Sequence, residues 1–187
     1  MSFLEKLKLI GYVDEGVVTS ILEYVSTNIK YIRRIAELST RMGVEINIPF
    51  LAYEEALLLG PLVPGSLASL VELVRSIDPR LELLAVVHMY PDGTSCPLDR
   101  DVIAGFKLRG GMGFHGSLDG ILAYYEYAGD VDKLIEYKRC TSNHLKDYIL
   151  TTGGLHSGPP ELKVLQEISC KCIGKTGILR IIARWNL

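Results

Sequence analysis

The run Leu81-Glu-Leu-Leu-Ala-Val-Val87, set between Asp78-Pro79 and Pro91-Asp92-Gly93, constrains the fold more than any other part of the chain. A short, almost wholly apolar segment with turn formers at both ends reads as a buried strand, one that a sheet and its flanking helices cover on both faces. Upstream, Ser66 is placed to cap a helix through Val74, and Leu67, Leu70, Val71 and Val74 fall on one face at i, i+3, i+4 and i+7, so this helix is expected to pack under the sheet. Downstream, Pro97-Leu98-Asp99 opens a helix over 101–109, and Gly120 to Tyr127 reads as another strand. The alternation predicts an α/β fold, a single domain with a mixed β-sheet flanked by helices.

The remaining segments fit that class. Val17 to Val25, after Asp14-Glu15-Gly16, has helical spacing. Tyr31, Ile32, Ile35 and Leu38 suggest a strand or equally a short helix, followed by a turn at Gly43 and a clearly alternating strand through Val44, Ile46, Ile48 and Phe50. Glu54 to Val63 gives a third strand or a short helix before the Pro64-Gly65-Ser66 turn, and Leu134 to Arg139 is read as continuing the meander. Thr151 to Pro160 is loop-like, and Gly177 to Trp185 is a final strand.

Composition excludes several classes of function. With 187 residues, 48% apolar and 22% charged, the chain suits one domain with a full core. A net charge of −2 gives no electrostatic footprint for nucleic acid, and the short basic cluster Lys30, Arg33, Arg34 reads as a solvated face. Charges within Met-Ser-Phe-Leu-Glu-Lys-Leu-Lys leave no apolar leader, and the uncharged stretch Ala56 to Val71 is broken by Pro61 and Pro64, so a cytoplasmic protein without a membrane span is expected. Cys96, Cys140, Cys170 and Cys172 lack zinc-ribbon spacing and are read as small buried side chains. A single glutamine and four asparagines hint at a thermophile, where an internal disulfide would be less surprising.

Chemical information concentrates in His88-Met-Tyr-Pro-Asp-Gly-Thr-Ser-Cys-Pro-Leu-Asp-Arg-Asp101. Strand alternation puts His88 and Tyr90 on one side, and Asp101 falls in the first turn of the next helix, so the three polar groups converge. This segment resembles the signature of the MPN/JAMM superfamily of metal-dependent isopeptidases: His-x-His-Pro, a short glycine-containing loop, then Pro-Ser-x-x-Asp, with two histidines and the aspartate on zinc. His88, Pro91, Gly93, Pro97 and Asp101 match without a gap, whereas Tyr90 stands in place of the second histidine and Leu98 in place of the serine. The resemblance extends over roughly residues 16 to 140, implying an MPN/JAMM-like (cytidine-deaminase-like) core with 150–187 as a C-terminal extension.

The resemblance implies zinc on His88 and Asp101, with Tyr90 or His115 as substitutes for the missing ligand. Tyrosine is a poor candidate because its phenol must first ionise from a reference pKa of about 10. Leu98 cannot support an oxyanion, a loss worth on the order of 100 to 1,000 fold in turnover. The family's glutamate base, on its first strand, has no counterpart near Lys30 and Tyr31, leaving Glu37, Glu54 and Glu55 as the nearest candidates. The expectation is a domain with a decayed zinc site that needs no cofactor and serves as a protein-binding or scaffolding module, as a homodimer or beside another MPN-type subunit. Its rival is a zinc-dependent isopeptidase or peptidase acting on ubiquitin-like conjugates with a rearranged site. Two nucleotide-loop patterns fail: Gly111, Gly113 and Gly116 precede a strand rather than a helix, and Gly174-Lys175-Thr176 lacks its upstream glycine at Ser169.

Overall fold

Apolar side chains recur at every second or every third to fourth residue along most of the chain, and strands and helices follow that spacing. The computed structural model describes residues 2–106, 112–117, 120–152 and 161–187, with Met112 described by its backbone alone. Strand β1 (Lys8–Tyr12) leads into helices α1 (Val17–Thr27) and α2 (Ile29–Met42), followed by β2 (Ile46–Tyr53), β3 (Ala56–Leu59) and the short β4 (Val63–Pro64). Helix α3 (Leu67–Ile77), β5 (Glu82–Met89), α4 (Asp99–Phe106), β6 (Met112–Gly116) and β7 (Ile121–Tyr127) come next, then α5 (Val131–Thr152), α6 (Leu162–Thr176) and β8 (Leu179–Asn186).

One mixed sheet takes in the eight strands in the order β1-β3-β2-β5-β6-β7-β8, with β4 added to β2. Its β5–β6 pair is parallel and its other pairs are antiparallel. A parallel pair cannot be closed by a hairpin, so the chain from Tyr90 through α4 serves as the crossover. The signature segment is therefore the connection at the carboxyl end of β5, where an α/β sheet leaves a crevice.

The buried run behaves as its composition requires. Ala85, Val87 and Met89 pack with Ile21 and Val25 of α1 and with Ile32 and Ile35 of α2, whereas Val86 packs with Leu67, Leu70 and Val74 of α3. Each such side chain contributes on the order of 2 kcal/mol by leaving water. Ser66 caps α3 as expected, its hydroxyl accepting from the Ser69 amide. A third cluster joins Val102 of α4, Tyr137 and Cys140 of α5, and Cys172 and Ile173 of α6 over β7.

Several expectations need correction. Of the two readings of Tyr31 to Leu38 the helical one holds, over a longer span than expected, with Ile32, Ile35, Ala36 and Ser39 buried along one face and Gly43 closing the helix at φ 66°. Leu134 to Arg139 lies inside α5 rather than in a strand. There the adjacency of Leu134, Ile135 and Tyr137 imitates alternation, and the buried face is only Tyr137, Cys140 and Thr141. Helix α6 is absent from the sequence reading because half of its buried face is polar, Gln166 and Ser169 beside Cys172 and Ile173. The cysteines are bridged as Cys96–Cys170 and Cys140–Cys172 rather than being isolated small side chains. Of the loop expected at Thr151 to Pro160, Thr151 and Thr152 end α5 and the rest lies outside the described residues, as do 107–109 of the motif helix. No described helix is long and apolar enough to cross a membrane.

Candidate functional site

Register places the site's side chains before any of them interact. His88 lies opposite Asn47 in the β2–β5 ladder and beside His115 in the β5–β6 ladder. Tyr90 follows β5 and keeps a ladder bond, its amide donating to the Gly116 carbonyl at 2.9 Å. Asp101 stands in the first turn of α4, as its position after Pro97 suggested. His88, Tyr90, Asp101 and His115 are all buried, His88 and Tyr90 completely.

The phenol of Tyr90 is the hub. It donates to Asp101 Oδ2 at 2.7 Å, accepts from the Leu98 amide at 3.0 Å, and lies 3.2 Å from His115 Nδ1. Around His88 the amide of Asn47 fixes the tautomer. Asn47 Nδ2 donates to the carbonyls of Val63 and Gly65, so its Oδ1 is the atom that meets His88 Nδ1 at 2.6 Å. An acceptor there requires the proton on Nδ1, leaving a lone pair on Nε2. That lone pair faces Glu45 Oε2 and Asp101 Oδ2, each 3.8 Å away, and neither Nε2 nor Asp101 Oδ1 has a hydrogen-bond partner among the described residues.

Arg100 closes the cluster from the solvent side. Its guanidinium hydrogen-bonds Glu45 Oε1 and reaches within 3.9 Å of Asp101 Oδ1, so one cation serves two carboxylates. Burial pushes the Asp101 and Glu45 carboxyls above their ordinary range, with Arg100 opposing the shift in both. Burial also lowers His88 and His115 to about 3, with the Arg100 charge adding to the shift in His88, His88 adding to that in His115, and Asp101 opposing the shift in His115. Desolvation raises the Tyr90 phenol well above its usual value, with Asp101 next in effect, so Tyr90 stays protonated.

A pH dependence follows from these signs. Histidines near pKa 3 in the folded chain and 6.5 when unfolded take up protons on unfolding. Their contribution to stability is present above pH 6.5 and is lost as pH falls toward 3. The raised carboxyls act oppositely, recovering some stability as they protonate in acid, so the net loss is smaller than two histidines alone would give. Urea midpoints measured from pH 7 to pH 4 should fall steadily; a flat or rising profile would contradict neutral, buried imidazoles.

At this cluster no three His, Cys, Asp or Glu ligand atoms among the described residues lie within 4.8 Å of one another. Ligand atoms sit about 2.0 to 2.3 Å from the ion, and a structural or catalytic site needs at least three from the protein. His88 Nε2 and Asp101 Oδ2 are close enough to share an ion, yet Oδ2 already receives the Tyr90 proton. His115, named as a possible replacement ligand, has its Nδ1 facing the Tyr90 hydroxyl and its ring centroid 5.6 Å from that of His88. It lies on β6 rather than in a glycine loop, which also removes the dinucleotide-loop pattern.

The expected glutamates are not at the cluster. Glu37 is on α2, paired with Arg33 at the surface. Glu54 and Glu55 turn the β2–β3 hairpin, at the far end of β2 from Asn47 and hence roughly 20 Å away at the strand's rise per residue. The carboxylate that meets His88 is Glu45, immediately before β2. Its signal was in the sequence: the alternation of Ile46, Ile48 and Phe50 marks where the strand starts, and counting back from His88's partner strand arrives at Glu45. Counting from a strand start near Lys30 and Tyr31, which lie in α2, missed it.

The crossover loop is clamped from α6. Gln166 donates to the carbonyls of Thr94 and Cys96 and accepts from the Thr94 amide, Ser169 donates to the Pro97 carbonyl, and Cys170 is bonded to Cys96. Positions 166, 169 and 170 share one helical face. Gly93, at φ 88°, lies so close to the Gln166 amide that a Cβ would collide with it. From the other side, the Thr40 hydroxyl of α2 donates to the Pro91 carbonyl at 2.6 Å.

The chain matches no family model, no curated protein and no solved structure.

Proposed function

We propose that this is an MPN/JAMM-like domain whose metal position has been taken over by an internal hydrogen-bond network, and that it acts as a non-catalytic protein-binding or scaffolding module. The observation that carries the reading is the Tyr90 hydroxyl, which occupies Asp101 Oδ2 and the Leu98 amide at the position where the signature has its second zinc histidine. The order of Glu45, His88, Tyr90 and Asp101 around one point, with Glu45 ahead of a strand paired to the His88 strand, supports the likeness. Arg100 supplies positive charge beside Glu45 and Asp101, which lessens the need for an ion. Complete burial of His88 and near-complete burial of Asp101 leave no open position for water and substrate, which a catalytic zinc requires.

A surface for a partner lies alongside. Leu98, Leu145, Leu165 and Ile168 line a groove of about 280 Å³ together with Arg100 and Lys138, formed where α4, α5 and α6 meet. Apolar side chains with a few charged neighbours are the composition of an interface core and its rim. A second copy of the chain or another MPN-type subunit is the partner this reading implies.

A rival reading, a zinc-dependent isopeptidase, draws on one observation: His88 carries its proton on Nδ1 and aims a free lone pair at two carboxylates, as a metal-bound histidine does. Metal analysis of the disulfide-intact protein, after stripping and reconstitution with zinc, separates the two. The module should hold well under one equivalent and leave a panel of ubiquitin-like conjugates uncut. One tightly bound equivalent that disappears in His88→Ala would overturn it. Tyr90→His restores the signature's ligand, so zinc should raise the unfolding midpoint of that variant and not of the parent; no response in the variant would count against the MPN/JAMM likeness.

A further inference from the structure

Cys140 and His144 stand one turn apart on α5, and Cys172 meets them from α6. The two sulfurs and one imidazole nitrogen all lie within 4.8 Å of one another, with both cysteines buried and His144 half-buried. Two thiolates and an imidazole form a donor set that zinc and similar borderline divalent cations favour over magnesium or calcium. The helices hold the cysteine Cα atoms 5.7 Å apart, so the positions of the donors are set by α5–α6 packing.

We propose that Cys140, His144 and Cys172 form a redox-gated site for zinc or a similar thiophilic divalent cation. While the disulfide is closed the sulfurs are not thiolates, and a single histidine does not hold the ion. Reduction opens the site: a dithiol reductant transfers two electrons and two protons to the bridge, the S–S bond breaks to give two thiols, and the reductant leaves as its own disulfide. Zinc then displaces one proton from each thiol, His144 contributes its neutral nitrogen, and water takes the fourth position, so the centre carries no net charge.

The surroundings suit this exchange. Cys140 opens on a groove of about 220 Å³ lined by Glu136, Arg139, Asn143, Lys175 and Thr176, and His144 lines a separate opening of about 290 Å³. Solvent, reductant and ion therefore reach both helices. The site shares no residue with the Tyr90 cluster and does not depend on the functional reading above.

Cobalt(II) is the probe, because thiolate ligands give it a charge-transfer absorption that counts sulfur donors. Full-length protein is reduced with excess dithiol, freed of reductant without air, and titrated alongside oxidised protein. One equivalent of cobalt with the thiolate signature should bind to the reduced protein and none with that signature to the oxidised protein. Cys140→Ser and Cys172→Ser should abolish the signature, and His144→Ala, which leaves the disulfide alone, should weaken binding by roughly 100-fold or more. Cys96→Ser/Cys170→Ser and His88→Ala should retain it. Absence of binding in the reduced chain, binding unaffected by His144→Ala, or a signature lost only with Cys96 and Cys170 would each overturn the assignment.

Discussion

Replacing Cys96 and Cys170 together with serine is expected to lower stability by about 4 kcal/mol. The bridge closes a loop of sequence separation 74, and the chain-entropy model assigns a loop of that size roughly that value. Its effect should concentrate on the crossover. Cys96 sits in the loop between Tyr90 and Asp101, and without the bridge the Gln166 and Ser169 hydrogen bonds still tie that loop to α6. Urea denaturation of parent and double serine variant gives the difference directly, and hydrogen exchange at the 91–98 amides should rise more than exchange in β5. A loss below about 1 kcal/mol would mean that the Gln166 and Ser169 bonds hold the loop without covalent help. Cys140→Ser/Cys172→Ser should cost less when the first bridge remains, because the two closed loops overlap.

Tyr90→Phe should cost about 3 kcal/mol, although it removes a single oxygen. Two groups lose their partner at once, the Asp101 carboxylate and the Leu98 amide, and both are buried where water cannot substitute. Asp101 would be left next to Arg100 at 3.9 Å as its nearest compensation, so its pKa should climb further and the acid limb of the stability profile should change shape. Tyr124→Phe is the control. Its hydroxyl is buried without a hydrogen-bond partner among the described residues, so removing it should be neutral or stabilising. Equal losses from both substitutions would show that ring packing rather than the phenol network accounts for the effect at Tyr90.

Both experiments bear on how this buried polar cluster is held together. Glu45, His88 and Asp101 surround a buried point at which His88 Nε2 and Asp101 Oδ1 have no hydrogen-bond partner among the described residues, which a structural network normally avoids. Tyr90 and Arg100 supply a hydroxyl and a charge from within the chain, and together they let a carboxylate-rich pocket close.

Much of the framework was legible in the sequence. The apolar run at Leu81 to Val87, the capped face Leu67, Leu70, Val71 and Val74, and the turn residues around Pro91 to Gly93 each express a local preference, and the structure follows them as β5, α3 and the crossover loop. Convergence of His88, Tyr90 and Asp101 was also readable, because strand alternation and a helix start place those side chains within a few residues. Helices α2 and α5 were harder, since their spacing suits more than one periodicity, and α6 buries polar groups that a search for apolar stripes passes over.

The sequence by itself determined an α/β domain, its central strand and the three residues of the signature that meet. Only the tertiary structure decided what those residues do together. Glu45 reaches His88 through strand pairing, His115 meets the Tyr90 hydroxyl, and distant cysteines are joined across α5, α6 and the loop. The physical reason is that periodicity records which face of an element leaves water, whereas ligand geometry depends on register and packing between segments far apart in the chain, to which local preference is blind.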